Sequence, residues 1–185
     1  MTDINLREEE KLPTWVIYSY SSNIVQMHEE TPGKIKVKSF CTLSKGKKEI
    51  MDFLKKDEEL KEIFESFTRV DNTQEYRFQL KLPAGVCRRI GRVRKEELPD
   101  DSGILLRGAN EPPNPDEGTV VVNARYFGFL VEEIGNSMSK LWFMCELQLG
   151  GTLPEMAIEM VKRDLAVIPR TFKDKIKKQP NIRNN

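Results

Sequence analysis

The sequence predicts an α+β domain in which a curved antiparallel β-sheet wraps around a long C-terminal α-helix, with two short helices after the third strand. Late in the chain, Leu141, Phe143, Cys145, Leu147 and Leu149 alternate with Trp142, Met144, Glu146 and Gln148, the period-2 pattern of a strand with one face toward a core. Past Gly150-Gly151 the period becomes helical, with Leu153, Met156, Ala157, Met160, Val161, Leu165, Ile168 and Phe172 on one stripe. Thr152 stands where it would cap that helix with Glu155 reaching back, and Pro154 falls in its first turn. Upstream, three strands precede two short helices and a run of further strands, so the terminal helix is left to cover one face of a single sheet.

In chain order, 15–20, 24–28 and 34–42 read as strands separated by Ser21-Ser22-Asn23 and Thr31-Pro32-Gly33. Ser44 is placed to cap a helix over 44–55 with Ile50, Phe53 and Leu54 inward, and a second short helix from about 58 carries Leu60, Ile63, Phe64 and Phe67. Strands follow over 67–72, 74–82, 86–98, 103–108, 118–134 and 139–150, with a Pro-rich loop at 110–117. A long sheet bent around one helix reaches native packing density only where large side chains fill the gap; otherwise it holds an apolar ligand. The sequence leaves both outcomes open.

Length and composition fit one domain, residues 1–185 with a core over about 14–178: the chain has 185 residues, 38% of them hydrophobic. A formal net charge of +1 gives no global pull toward nucleic acid or anionic lipid. The charge is uneven, however, with eight basic against two acidic residues from Lys162 to the end. Cys41, Cys87 and Cys145 are too scattered for a disulfide framework or a zinc site, and a reducing cytoplasm is expected. The first residues lack the pattern of a signal peptide and a Gly at position 2, and no apolar run has transmembrane length, so any membrane contact is expected to be peripheral.

Ser139-Lys140 opening the last strand, and Gly151-Thr152-Leu153-Pro154 opening the final helix, resemble the end of the START family, the lipid-transfer domains related to the steroidogenic acute regulatory protein. Gly118 and Val120, Gly128-Phe129-Leu130, and Leu82-Pro83 followed by Arg88 extend the resemblance over roughly residues 14–178. It implies a helix-grip fold enclosing one lipid, of phospholipid, sterol or sphingolipid type, in a tunnel, with transient membrane contact and no catalysis. The long first helix of many members has little room before Pro13 and Trp15 and is expected to be short or absent.

The resemblance places Arg94, six positions after Arg88, where members often bury an arginine, with Glu75 as its acidic partner. An unpaired charge in an apolar tunnel costs several kcal/mol, so Arg94 needs that partner or a ligand head group; alternatively it shares a solvated face with Arg88 and Arg92. Phe78, Leu80, Phe143, Cys145, Met156 and Met160 are the wall candidates, methionine suiting adaptable apolar pockets. Leu82, Pro83, Ala84, Gly85 and Val86 correspond to the loop over the tunnel mouth, or else form a tight connection between strands. Pro169 either kinks the final helix or separates it from a shorter basic one. The chain departs from the family at Arg88-Arg89-Ile90 (family Arg-Asp-Phe), Ile63-Phe64 (Trp-Asp) and Gln148 (Asp). Val121 and Asn123 stand where many members have Arg and Glu, Asn123 being a further ligand-contact candidate.

Catalytic groups are sparse. His28 is the only histidine, beside Glu29 and Glu30, so Cys/His and Ser/His/Asp pairings lack support. Asp100-Asp101 and Asp116-Glu117 read as turn residues, and no phosphate-binding Gly-Lys-Ser/Thr loop or Rossmann glycine triplet occurs. The small basic clusters 45–48 and 173–178 lack the interleaved aromatics of a nucleic-acid surface. No metal or cofactor is expected. Two other readings remain: a helix-grip cyclase or hydrolase of apolar substrates, with Arg94, Glu75 or Tyr126 converging on a carbonyl, and a lipid-sensing interaction module.

Overall fold

The structure is a computed structural model, and it describes residues 4–7, 16–20, 23–28, 34–135 and 137–178, with side chains from 34 onward and at 4–7. Strands β1 (Val16–Tyr20), β2 (Asn23–His28) and β3 (Lys34–Leu43) form an antiparallel meander. Helices α1 (Lys47–Leu54) and α2 (Asp57–Leu60), with a 3-10 turn at Lys61–Ile63, then carry the chain to the opposite edge of the sheet. There β4 (Ser66–Arg69), β5 (Glu75–Gln79), β6 (Arg88–Glu97), β7 (Gly103–Gly108), β8 (Thr119–Val121), β9 (Asn123–Gly135) and β10 (Met138–Gln148) work back toward β3. The resulting ten-stranded sheet has the order β1-β2-β3-β10-β9-β7-β6-β5-β4, with β8 pairing parallel to β6 and every other ladder antiparallel. Helices α3 (Glu155–Ala166) and α4 (Ile168–Lys178) lie on the inner face.

Three local readings change, and the alternative left open at Pro169 is decided. The strand expected over 118–134 is two strands, because Val122 donates its N–H to the Ile90 carbonyl (2.7 Å) and the chain then leaves β6 for β10, pairing Asn123 with Gln148. The long final helix is broken at Val167: Pro169 has no N–H to continue the ladder, and its carbonyl instead accepts from the buried Cys41 thiol at 3.1 Å. Thr152 does not cap α3, which starts after Pro154, and Ser44 does not cap α1, whose N-cap is Gly46. There the Glu49 carboxylate accepts from the Gly46 N–H at 3.2 Å, and its bond from Lys45 at 2.9 Å, helped by that backbone bond, holds Glu49 below the usual carboxylate range.

The β10 alternation holds on its inner side, where Leu141, Phe143, Cys145 and Leu147 join the main core with Phe53, Phe129 and Phe172. Its other side is not simply solvated. Trp142 and Met144 form a second apolar cluster with Leu105, Tyr126 and Leu130, and Leu6 lies over it against Gly128, where a side-chain carbon would meet Leu6 at 2.5 Å.

Candidate functional site

The inner face of the sheet is closed mainly by phenylalanine. Phe64 meets Phe78 and Phe127 with centroids 4.9 and 5.0 Å apart, and Phe129 meets Phe143 and Phe172 at 5.2 and 5.5 Å. Ring contacts of this kind add to the area term that holds helix and sheet together. At the edge of this packing, under the break between α3 and α4, a cavity of about 210 Å³ remains. Ile63, Leu80, Val161, Leu165, Ile168 and Phe172 supply its apolar lining, and Glu62, Lys81, Asp164 and Thr171 its polar rim. From α3 the cavity is faced by Val161 and Leu165, which continue a buried stripe that begins with Ala157 at i, i+4, i+8 spacing.

Two lysines tie the rim together. Lys175 of α4 reaches Glu62 at 2.8 Å and Glu59 at 3.6 Å, while Lys81 donates to the Glu62 carbonyl at 2.6 Å. The bond from Lys175 holds the Glu62 carboxyl below the usual carboxylate range. Below them, α2 is anchored to the sheet through Asp57, which accepts from Tyr76 at 2.8 Å and Lys95 at 2.7 Å. Burial pushes Asp57 upward, but those two partners outweigh it and leave it lowered.

At the end of the sheet beside the start of α3, Arg89 is 2% exposed and donates to three backbone carbonyls, those of Cys87 (2.9 Å), Leu149 (3.2 Å) and Gly150 (3.3 Å). It thereby fastens the end of the 82–87 loop to the turn that launches α3, and burial lowers its pKa. Gly150 and Gly151 take φ of +66° and +59°, a left-handed pair that side-chain-bearing residues rarely adopt. Sequence reasoning left Arg94 either buried or on a solvated face with Arg88 and Arg92 and did not consider Arg89; the parity of Val93 and Gly91, both on the inner side, points to Arg89 as the buried arginine.

Of the sequence candidates, the structure brings Phe78, Leu80, Phe143 and Cys145 together in the inner core, all at 3% exposure or less. Met160 is half-buried on α3, and Met156 is 74% exposed: because α3 begins at Glu155, Met156 falls on the outward side and is not part of the wall. Arg94 and Glu75 pair at 3.2 Å on the outer face, where Arg92 also reaches Glu75 at 3.4 Å, so Arg94 belongs to the solvated face rather than the interior. Asn123 is exposed and lines a polar outer groove of about 580 Å³ with Arg107, Arg125 and Glu146, outside the grip. Glu75, Arg94, Arg107 and Tyr126 sit directly opposite one another on successive strands, so Arg94, Glu75 and Tyr126 do not face the inner cavity. In the mouth loop, Leu82 packs against the core, Pro83 and Val86 are half-buried, and Ala84 and Gly85 are exposed. The side chain of His28 lies outside the described residues.

Burial pushes the Cys41 thiol up to about 12 and the Cys145 thiol higher still, so neither is a thiolate nucleophile near neutral pH. Among the described residues there is no cluster that would hold a metal ion, and no helix is long and apolar enough to cross a membrane.

The strand order and the position of the helices match solved structures. Human StAR-related lipid transfer protein 5 superposes with a TM-score of 0.73 at 16% identity, covering 94% of this chain and 91% of that one. The chain has the START helix-grip fold. Human STARD10 shares it at a TM-score of 0.71 and 16% identity, covering 93% of this chain and 76% of that one. The Zhui aromatase/cyclase from Streptomyces sp. R1128 shares it at 0.57 and 11%, over 78% and 94% of the two chains. No protein-family model and no curated protein matches the sequence. At these identities the START likeness is one of fold, as the many altered positions at Arg88-Arg89-Ile90 and Ile63-Phe64 lead one to expect.

Proposed function

We propose that this START-like chain holds one lipid or similar apolar molecule between its sheet and its C-terminal helices and exchanges it between membranes, without catalysing a reaction. The observation that carries this reading is the apolar cavity of about 210 Å³ under the α3–α4 break. One of the fold neighbours supports it, being by name a lipid transfer protein. The neighbouring aromatase/cyclase keeps the enzyme class in view, but the three groups that an enzyme reading relied on lie on the outer face.

The mechanism needs only burial and opening. A methylene is about the size of a water molecule, which takes up ~30 Å³ in the liquid, so about seven fill a cavity of 210 Å³. At about 0.8 kcal/mol each, their burial contributes on the order of 5 kcal/mol, too much for rapid loss to water and readily offset by a bilayer. Release then follows when α4 swings from the 3-10 turn, breaking the Lys175 pairs with Glu59 and Glu62. The exposed Met156 and the exposed Ala84–Gly85 tip are the apolar and small groups proposed to meet the membrane. A cytoplasmic, peripheral protein fits this cycle.

Native mass spectrometry after incubation with mixed-lipid vesicles, paired with a vesicle-to-vesicle transfer assay, tests the proposal. A one-to-one adduct and protein-dependent transfer are expected. An adduct without transfer would favour a lipid sensor, and an unliganded mass for every lipid class would sink the reading.

A further inference from the structure

We propose that the ligand is a single-chain amphiphile with an anionic oxygen head, the chemistry shared by a fatty acid and a lysophospholipid, seated under the α3–α4 break with its head at Lys81. This rests on the reading above that the chain holds an apolar molecule beneath its C-terminal helices.

Size is the first argument. The cavity of about 210 Å³ lies below the ~300–1,000 Å³ of pockets that enclose drug-sized ligands, so it suits one chain end and not a pair of acyl chains or a fused-ring sterol. The second is what stands behind it. Phe172 forms part of the lining and stacks on Phe129 with the rings 15° apart, and Phe129 in turn meets Phe143. Phe78 and Phe127 meet at 5.4 Å on the far side, both fully buried. A second chain would have to displace several of these rings at once from close-packed positions, whereas one short chain of about seven methylenes, at ~30 Å³ each, needs only the space already present.

The rim supplies the third argument. Its two carboxylates already face cations, Glu62 with Lys175 at 2.8 Å and Asp164 with Arg163 at 4.0 Å. Lys81 Nζ donates to a neutral acceptor, the Glu62 carbonyl, while its charge also acts on the nearby Glu62 carboxylate, and an ammonium has three donors, so that one bond does not exhaust it. The Thr171 hydroxyl lies on the same opening. A head with anionic oxygens gains a charge-assisted bond there, and a cationic head meets like charge.

The test uses the full chain with octanoic acid, octanoyl lysophosphatidic acid, dipalmitoyl phosphatidylcholine, cholesterol and octyltrimethylammonium, each presented at the same concentration and read by native mass spectrometry. One-to-one adducts with the acid or the lysolipid are expected, the stronger of the two identifying the head. Lys81→Gln should weaken them at least fivefold. Val167→Trp should abolish them, since residue 167 is 37% exposed at the cavity opening and tolerates a larger side chain without repacking the core. Melting curves confirm that both variants fold. A phosphatidylcholine or cholesterol adduct in place of the single-chain ones overturns this inference and leaves the general reading standing. So do single-chain adducts indifferent to both variants, and equal binding of the cationic amphiphile. No adduct with any of the five overturns both.

Discussion

On the inner side of β10, Leu141, Phe143, Cys145 and Leu147 are fully buried beneath α4 and its neighbours, whereas one position along, Trp142, Met144 and Glu146 are covered by a thin outer layer. The inner side is held by area and ring packing. The outer side depends on individual partners: Leu6 over Gly128, Lys140 over the Trp142 ring at 3.8 Å, Trp142 Nε1–H donating to Glu132 at 2.9 Å, and Glu146 receiving Arg125, Lys34 and Lys36 at 2.8, 3.2 and 3.5 Å. One strand thus faces two environments of different kind, non-directional within and specific without. The inner layer tolerates exchange of one apolar group for another of like volume, as entry of the proposed ligand would require, whereas the outer layer fixes the sheet.

Truncating the inner layer should show the largest effect. Phe129→Ala is expected to lower stability by about 3–5 kcal/mol, seen as a shift of the urea midpoint without a change in slope. A loss under about 1 kcal/mol would mean that the two faces are not so different. Next comes the end of the sheet, where Arg89→Ala leaves buried carbonyls without their donor and should cost about 1–3 kcal/mol. Hydrogen exchange should also quicken in the 82–87 loop and at Gly150.

On the outer face, Glu146→Gln should cost about 1–2 kcal/mol, less than the 3–5 kcal/mol of a deeply buried pair, because Arg125 is 40% exposed and can turn to water. It should also change the acid limb. Burial pushes Glu146 up, but Arg125, Lys34 and Lys36 outweigh it and hold its carboxyl below the ordinary 4.5. A lowered folded-state pKa gives stability that is present above 4.5 and lost as pH falls through the folded value, so the wild type should lose stability in that window and the Gln variant should lose less. A parallel pH dependence in both would remove Glu146 from the account. At the small end, Met156→Asn should move stability by no more than about 0.5 kcal/mol while slowing transfer to vesicles; an equal transfer rate would separate Met156 from the membrane step.

What the sequence made legible follows the same division. The inner face repeats a strict alternation along β10, and the switch to helical spacing after Gly150-Gly151 is local, so fold class and core were readable. The break at Val122 was not, since no Gly or Pro marks it and the cause is a change of partner from β6 to β10. The stripe of α3 was legible in Ala157, Val161 and Leu165, which are buried, but not at its margin, where Met156 in the first turn lies outside it at 74% exposure. Arg89 and Arg94 lie in one basic run, and only strand parity, which needs an anchor such as Val93, separates the buried one from the exposed one. Leu6 reaches Gly128 from a segment too short to show any period.

The place of β10 in the strand order has a consequence for synthesis. It lies between β3 and β9, so the early meander and the later one remain separate half-sheets, each with a bare hydrogen-bonding edge, until the strand that joins them leaves the ribosome. Its pairing with β3 spans most of the chain, a topology of high contact order that folds slowly. The nascent protein therefore carries the bare β3 edge until residue 138 is reached, joined in the later part of that interval by the edge of the second half-sheet, and chaperone capture should fall off only once Met138–Gln148 has been made and zipped into place.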